Sequence, residues 1–381
     1  MKAALKNIIQ NGFFVILILV FGFFISHVGI AVKGALFPAQ TASLPLTQYT
    51  QQNASVLGEY KEGTLTIGFV GDIAPAHAEN ETSLSGFFSQ VSEPLSSVDI
   101  MIGNLEGTFS TEGTPKCDEE NPGCYLFSGS EEFLNEISTS GFDVLSLANN
   151  HAYDYGVEGY QKTQELISQK NLLAVGQKNS INYKDTPHGK VAFVGASSYF
   201  WSPSLVDVNE LIKHIHTARK NAEIVVVVFH GGAEGREFTQ TPDEEEWYMG
   251  ENRGDVRMMA RRAIDEGADL ILGSGPHVLR GMEIYKQRLI AYSLGNFAFS
   301  GTKTLSQKDI LGVSAILHAE LYPDGEFKKG SLIPIQINPQ GKPEIDNEKK
   351  AFDMIRTLSF EDFSYTGVHI DDNGEIFIPA N

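Results

Sequence analysis

Cysteine is nearly absent: 381 residues hold two, Cys117 and Cys124. No second ligand pair stands at zinc-site spacing around them, which excludes a structural zinc module. Internal repeats and low-complexity blocks are lacking, so solenoid and fibrous architectures drop out. Basic charge is scarce, with 29 Lys and Arg against 48 Asp and Glu. Lys2, Lys6 and Lys33 are the only charged residues before Glu59. Beyond Lys33, 26 basic groups therefore face 48 acidic ones, a formal charge of −22. A surface of that balance repels phosphate backbones, and nucleic acid is excluded as a partner.

What is present begins with an apolar run. Phe13 to Val32 contains twenty residues without a charge, enough at about 1.5 Å per residue to cross a hydrocarbon layer of about 30 Å. Lys2 and Lys6 precede it, so the positive-inside bias predicts residues 1–12 in the cytoplasm, a transmembrane signal anchor over 13–32, and the remainder outside the cell membrane. A cleaved signal peptide is the rival reading, although its apolar core normally has about 7–15 residues. Residues 33–63 read as a linker. The KCDEENPGC segment carries a Pro-Gly turn that can bring Cys117 and Cys124 into disulfide range, in keeping with an oxidising compartment.

Order is expected from Thr64. Apolar runs end repeatedly in polar residues: TLTIGFVGD, VDIMIGN, FDVLSLANN, KVAFVGASS, EIVVVVFHGG and ADLILGSGPH. Helical patterns such as EEFLNEISTSG, VEGYQKTQELISQKN and VRMMARRAIDEG lie between several of them. That alternation predicts a layered α/β domain over 64–340. RLIAYSLGNFAFS and GVSAILHAELYPDGEFKKGSLIPIQI read as antiparallel strands, the second turning at Asp324-Gly325. Residues 341–381 form a C-terminal extension with one short helical pattern and a weak strand. Arg236, Arg253, Arg257, Arg261 and Arg262 form the densest basic stretch, which helical spacing assigns to a solvated face.

In α/β sheets ligands bind beyond the carboxyl ends of the strands. There this sequence places Asp72, Asn104, Glu106, Asn149, Asn150, His151, Asp154, His230, Glu234 and His277. Carboxylate, amide oxygen and imidazole are the ligand types that hold Zn, Mn or Fe in hydrolytic centres. His151 is placed as general acid beside Asn150, and Asp154 as the group that fixes its tautomer.

The motifs GFVGD (Gly68 to Asp72), GNLEG (Gly103 to Gly107), GFDVLSLANNHAYDYG (Gly141 to Gly156), HGGAE (His230 to Glu234), GSGPHV (Gly273 to Val278) and YSLGNFAF (Tyr292 to Phe299) resemble the CapA family. That is the capsule or poly-gamma-glutamate synthesis family, whose domain is similar to calcineurin-like metallophosphoesterases. The resemblance covers about 64 to 340. It implies a four-layer α/β/β/α metallophosphatase-like sandwich behind the membrane helix, working with the synthase complex or on an anionic envelope polymer. It also implies a divalent metal held by Asp72, Glu106, Asn150, His230 and His277, with Glu106 or Asn104 in the region of the bridging carboxylate. Asn104, Asn149, Glu234 and Asn296 are then candidates for substrate contact. The chain departs from the pattern at Ala74, Gly275 and Gly231-Gly232, where imidazoles or a His-Trp-Gly run are usual, and this thins the metal shell. Two functions follow: a metal-dependent hydrolase, or a non-catalytic accessory protein that binds the polymer or its synthase.

Overall fold

The computed structural model describes residues 63–76, 83–118, 121, 123–301 and 309–378, all within the compact unit Tyr60–Asn381. Most of the apolar runs become strands buried on both faces. β1 (Leu65–Ala74), β2 (Ile100–Leu105), β3 (Val144–Ser146) and β4 (Leu173–Val175) lie side by side and parallel. The chain then builds a second sheet from β5 (Asn182–Thr186), β6 (Gly189–Ser197) and β7 (Ile224–His230). A separate hairpin follows, β8 (Glu246–Tyr248) and β9 (Glu251–Gly254). The second sheet is completed by β10 (Leu270–Ser274), β11 (Met282–Tyr285) and β12 (Arg288–Ala291), in the order β11-β12-β10-β7-β6-β5.

The first sheet resumes with β13 (Asn296–Phe299), β14 (Val313–Leu321) and β15 (Phe327–Ile337). β16 (Pro343–Ile345), β17 (His369–Ile370) and β18 (Glu375–Phe377) extend it through β15. Residues beyond 341 thus add strands to the same sheet. β14 and β15 form the hairpin expected at Asp324-Gly325. The expected antiparallel pairing fails for RLIAYSLGNFAFS. Its two strands belong to different sheets: β12 is antiparallel to β11 but parallel to β10, and β13 is parallel to β1. Apolar alternation specifies which face is buried and carries no information on strand direction.

Helices cover the outer face of each sheet. α1 (Ser92–Ser96), α2 (Glu131–Thr139) and α3 (Gly156–Gln169) pack Leu95, Phe133, Ile137, Tyr160 and Ile167 against Val70, Ile73 and Met101 of the first sheet. α4 (Asn209–Arg219) and α5 (Val256–Asp265) pack Leu211, Ile215, Met259 and Ala263 against Val225, Val227 and Ile271 of the second. α5 forms because apolar residues recur at 256, 259, 260, 263 and 264, and because Asp255 caps it by accepting from the Met258 amide at 2.7 Å. Between the sheets lies a core of Phe69, Ile102, Phe193, Val226, Leu272 and Leu317, joined by Phe352 and Ile355 of α6 (Lys350–Phe363). Each such side chain contributes about 1.5–3 kcal/mol of burial. The layered α/β expectation is met, and the helix over 350–363 is longer than the short pattern read there. Among the described residues no helix is long and apolar enough to cross a membrane. The anchor expected over 13–32, its flanking segment 1–12 and the linker up to residue 62 lie outside the described residues.

Candidate metal centre

The parallel strands deliver their carboxyl ends to one place. Asp72 sits near the end of β1, where Gly71 permits a close approach: a Cβ there would lie 1.9 Å from the carbonyl oxygen of Gly295. The Asp72 amide donates to that same oxygen at 3.0 Å, which sets Asp72 beside Asn296 in register. Asn104 lies near the end of β2 and Glu106 follows the strand. His230 ends β7, and His277 comes three residues after β10 in a left-handed conformation with φ of 59°. A non-glycine residue in that region costs on the order of 1 kcal/mol. The amide of Asn296 secures the turn by donating to the carbonyls of His277 and Leu311, both at 3.1 Å.

Asp72, Glu106 and His277 offer ligand atoms that all lie within 4.8 Å of one another. Glu106 Oε1 is 3.6 Å from His277 Nε2 and 3.7 Å from His230 Nε2. Asp72 Oδ2 accepts from His277 Nδ1 at 3.0 Å, while Asp72 Oδ1 is 3.8 Å from His230 Nδ1. Glu234 Oε2 stands 3.7 Å from His277 Nε2. Nδ1 of His230 is met by Asn104 Nδ2 at 3.3 Å and Ser274 Oγ at 3.2 Å, so Nε2 is the nitrogen that faces Glu106. That Nε2 and Glu106 Oε1 are buried, and neither makes a hydrogen bond among the described residues. Buried polar atoms of this kind demand a partner. Ligand atoms about 2.0–2.2 Å from a tetrahedral ion stand about 3.3–3.6 Å apart, close to the separations here. The residues present fit a divalent cation.

The electrostatics agree. Burial drives the Glu106 carboxyl well above its usual range, with Asp72 and Glu234 adding to the effect. For Asp72 the burial penalty is overcome by the His277 hydrogen bond and by the charges of His277 and His230, which hold it below the usual range. Burial opposes a charged His277, yet the Glu106 charge and the hydrogen bonds of Asp72 and Glu234 push it well above the ordinary histidine range. Burial brings His230 down to about 3. Burial also opposes a charged Glu234, but His277 and Arg253 bring it down to about 2. Asp72 and Glu234 thus stay ionised, and a cation that displaces the protons held by Glu106 and His277 gains three carboxylates as neighbours.

Asn104 and Asn149 form a rigid amide chain beneath the cluster. Asn104 donates to Asp72 Oδ1 at 2.8 Å, and Asn149 donates to Asn104 Oδ1 at 3.1 Å and to the Leu105 carbonyl at 2.8 Å. Asn149 Oδ1 accepts from the His151 amide at 3.1 Å. Asn150 is half-buried; its Oδ1 is enclosed and makes no hydrogen bond among the described residues, and no contact ties it to the carboxylates. His151 donates from Nδ1 to Asp154 Oδ2 at 2.8 Å, which leaves the lone pair on Nε2. Burial lowers its basicity against the pull of Asp154, so the ring is neutral near pH 7.

Several neighbours carry no signal in the sequence. Lys116 Nζ lies 2.6 Å from Asp154 Oδ1 and 3.3 Å from His151 Nδ1. Trp201 Nε1 donates to the Asn149 carbonyl at 3.1 Å. Arg253, expected on a solvated face, is only 4% exposed. It precedes α5 and lies in β9, paired with Glu234 at 2.6 Å and Glu251 at 3.3 Å. The rest of that basic stretch is also engaged. Arg236 pairs with Asp309, Arg261 with Glu283, Arg262 with Glu266, and Arg257 lies over the Phe363 ring. Cys117 and Cys124 form a disulfide with their Cα atoms 5.8 Å apart.

Residues 66–301 match the model of the bacterial capsule synthesis protein family PGA_cap. The capsule biosynthesis protein CapA of Bacillus anthracis is 31% identical over 304 residues, spanning 74% of this chain and 69% of that protein. The PGA biosynthesis protein CapA of Bacillus subtilis (strain 168) is 31% identical over 323 residues, spanning 79% of each chain. Among solved structures, a 5'-nucleotidase precursor from Thermus thermophilus superimposes at a TM-score of 0.40 and 13% identity, covering 80% of this chain and 60% of that one. With the family match and the two CapA identities spread over most of its length, the chain belongs to the bacterial capsule synthesis protein family PGA_cap.

Proposed function

We propose that this protein is a metal-dependent hydrolase-like component of capsule or poly-gamma-glutamate synthesis. In this reading residues 13–32 tether it, and the domain works outside the cell membrane on a phosphoester or amide of an envelope polymer. Its two sheets and two helical layers are then the four-layer sandwich of the metallophosphatases. One observation carries the reading: Glu106 Oε1 and His230 Nε2 are buried without hydrogen-bond partners among the described residues, 3.7 Å apart, beside Asp72 and His277. A divalent ion held there supplies Lewis acidity to the scissile phosphoryl or acyl centre. Zn, Mn and Fe all suit the mixed oxygen and nitrogen donors.

The chain's own residues do the rest. Asn104 and Ser274 fix the His230 ring so that Nε2 faces the cluster. Asn296 holds the left-handed turn that aims His277. Asp154 fixes the His151 tautomer, and Nε2, once it has taken a proton from water, passes that proton to the leaving oxygen. Glu234 stays ionised beside Arg253 and favours a cation at the adjacent carboxylates.

An accessory role is the second reading, favoured by a surface feature. Phe200, Trp247 and Met249 are 72%, 59% and 88% exposed on the loop after β6 and the β8–β9 hairpin. Such a surface suits a partner such as the synthase complex. Metal analysis of the purified chain, coupled to hydrolysis of a model phosphodiester and of gamma-glutamyl polymer, separates the two. Bound metal with turnover lost on His151→Ala supports the hydrolase. Metal-free protein with no turnover, which still binds polymer, overturns it.

A further inference from the structure

The His151–Asp154 pair receives much of its support from the segment that leads from β2 to α2. The described residues between β2 and α2 (107–118, 121 and 123–129) form a strap. Its ends are pinned together, with the Thr108 amide donating to the Phe127 carbonyl and the Gly129 amide to the Thr108 carbonyl, both at 2.9 Å. From this strap Lys116 Nζ reaches Asp154 Oδ1 at 2.6 Å, and the Phe127 amide donates to Asp154 Oδ2 at 2.7 Å. Both oxygens of a fully buried carboxylate are therefore held by the strap. The Phe127 ring also lies 4.3 Å, centroid to centroid, from the His151 ring. The Lys116 amide donates to the Asp154 carbonyl at 2.8 Å, which fixes the arm that carries the ammonium.

The disulfide joins these two arms. Cys117 follows Lys116 directly, and Cys124 stands three residues before Phe127. Both cysteines are half-buried, so a small dithiol can reach them. We propose that the Cys117–Cys124 strap is a redox-dependent positioning device for the His151–Asp154 pair, with Lys116 as its positioning residue. The proposal rests on the hydrolase reading for its catalytic consequence and on geometry alone for its structural one. Closed, the strap holds Asp154 at its hydrogen bond to His151. Opening takes two electrons and two protons from a dithiol, which closes to its own disulfide and leaves Cys117 and Cys124 as thiols. The Lys116 arm then moves against the Phe127 arm, whose carbonyl Thr108 still holds, and the imidazole loses its fixed orientation. Misplacement of a catalytic group by about 1 Å costs on the order of 100-fold in rate.

The test uses the full chain loaded with Mn²⁺, with bis(p-nitrophenyl) phosphate as probe and amide hydrogen exchange as a second readout. Lys116→Met, and the double variant Cys117→Ser with Cys124→Ser, are expected to lose about 10–100-fold in kcat. KM and metal content should stay within about twofold, and Lys116→Arg should restore most of the rate. The Lys116 and Phe127 amides should exchange about tenfold faster or more in the double serine variant and after phosphine reduction of the wild type. An unchanged kcat in Lys116→Met, or a loss confined to KM or metal content, overturns the proposal. If the oxidised wild type shows no turnover, the hydrolase reading has failed. The strap is then judged by exchange alone, where unchanged protection at Lys116 and Phe127 refutes it.

Discussion

Arg280 is the largest fully buried side chain of the described residues, and its removal gives the sharpest stability test. It donates from Nη1 and Nη2 to the two oxygens of Glu246 at 2.8 and 2.6 Å. It also donates from Nε to the Phe238 carbonyl at 2.9 Å. Glu246 in turn accepts from the Ala233 amide at 3.0 Å, so the pair clamps the turn that presents Glu234 to the metal cluster. Arg280→Met leaves a carboxylate that is only 7% exposed, with that single amide as partner. Breaking a buried ion pair from one side costs about 3–5 kcal/mol, because the remaining charge is uncompensated. Replacing both members by Met removes the stranded charge as well, and should recover about half of the loss. Urea unfolding of the wild type, Arg280→Met, Glu246→Met and the double variant measures this as a shift of midpoint at constant m. A loss below about 1 kcal/mol in Arg280→Met would mean that the buried Glu246 charge is compensated without Arg280. Strict additivity in the double variant would mean the same.

His151→Ala should lower kcat on a model phosphodiester by about 10²–10⁴-fold, the range for general acid–base groups, while the metal content stays unchanged. A drop in metal content of the same size would instead make His151 part of the metal shell. Metal affinity should rise with pH. Glu106 and His277 both hold their protons above the usual ranges in the metal-free chain, and a cation must displace those protons to bind. The window opens above the ordinary carboxylate range and continues past the ordinary histidine range. Calorimetric titration with Zn²⁺ or Mn²⁺ in buffers of different ionisation enthalpy should therefore report proton release. An affinity flat between about pH 5 and 8 contradicts the assignment of those two residues.

The strand ends are legible because chemistry and burial separate there. IGFVG and IVVVVF are apolar throughout, as strands covered on both faces must be, and the polar residue after each run stands out. Asp72, Glu106, His230 and His277 are all marked by that rule. Asn149 and Asn150 cannot be told apart in the sequence, since adjacent residues on a turn are sorted only by backbone torsion. The turn sends Asn149 into the amide chain with Asn104. Arg253 departs from the solvated-face expectation because it lies two residues before the Asp255 cap, so the helical period that governs Arg257, Arg261 and Arg262 never applies to it. Lys116 and Phe127 have no signal beyond their closeness to the two cysteines. Their contacts with Asp154 cross from one loop to another, and neither period nor spacing encodes such an approach.

The proposed activity depends on a cation site built from Asp72, Glu106, His230 and His277. The most direct test is the metal content of the full chain after equilibration with Zn²⁺ or Mn²⁺ and removal of free ion, compared with Glu106→Gln and His277→Ala. At least one tightly held ion per wild-type chain is expected, with a loss of about 10-fold or more in affinity for each variant, since every lost ligand weakens the hold on a doubly charged ion. A wild-type chain that retains no metal, or variants that bind as tightly as the wild type, would contradict that site.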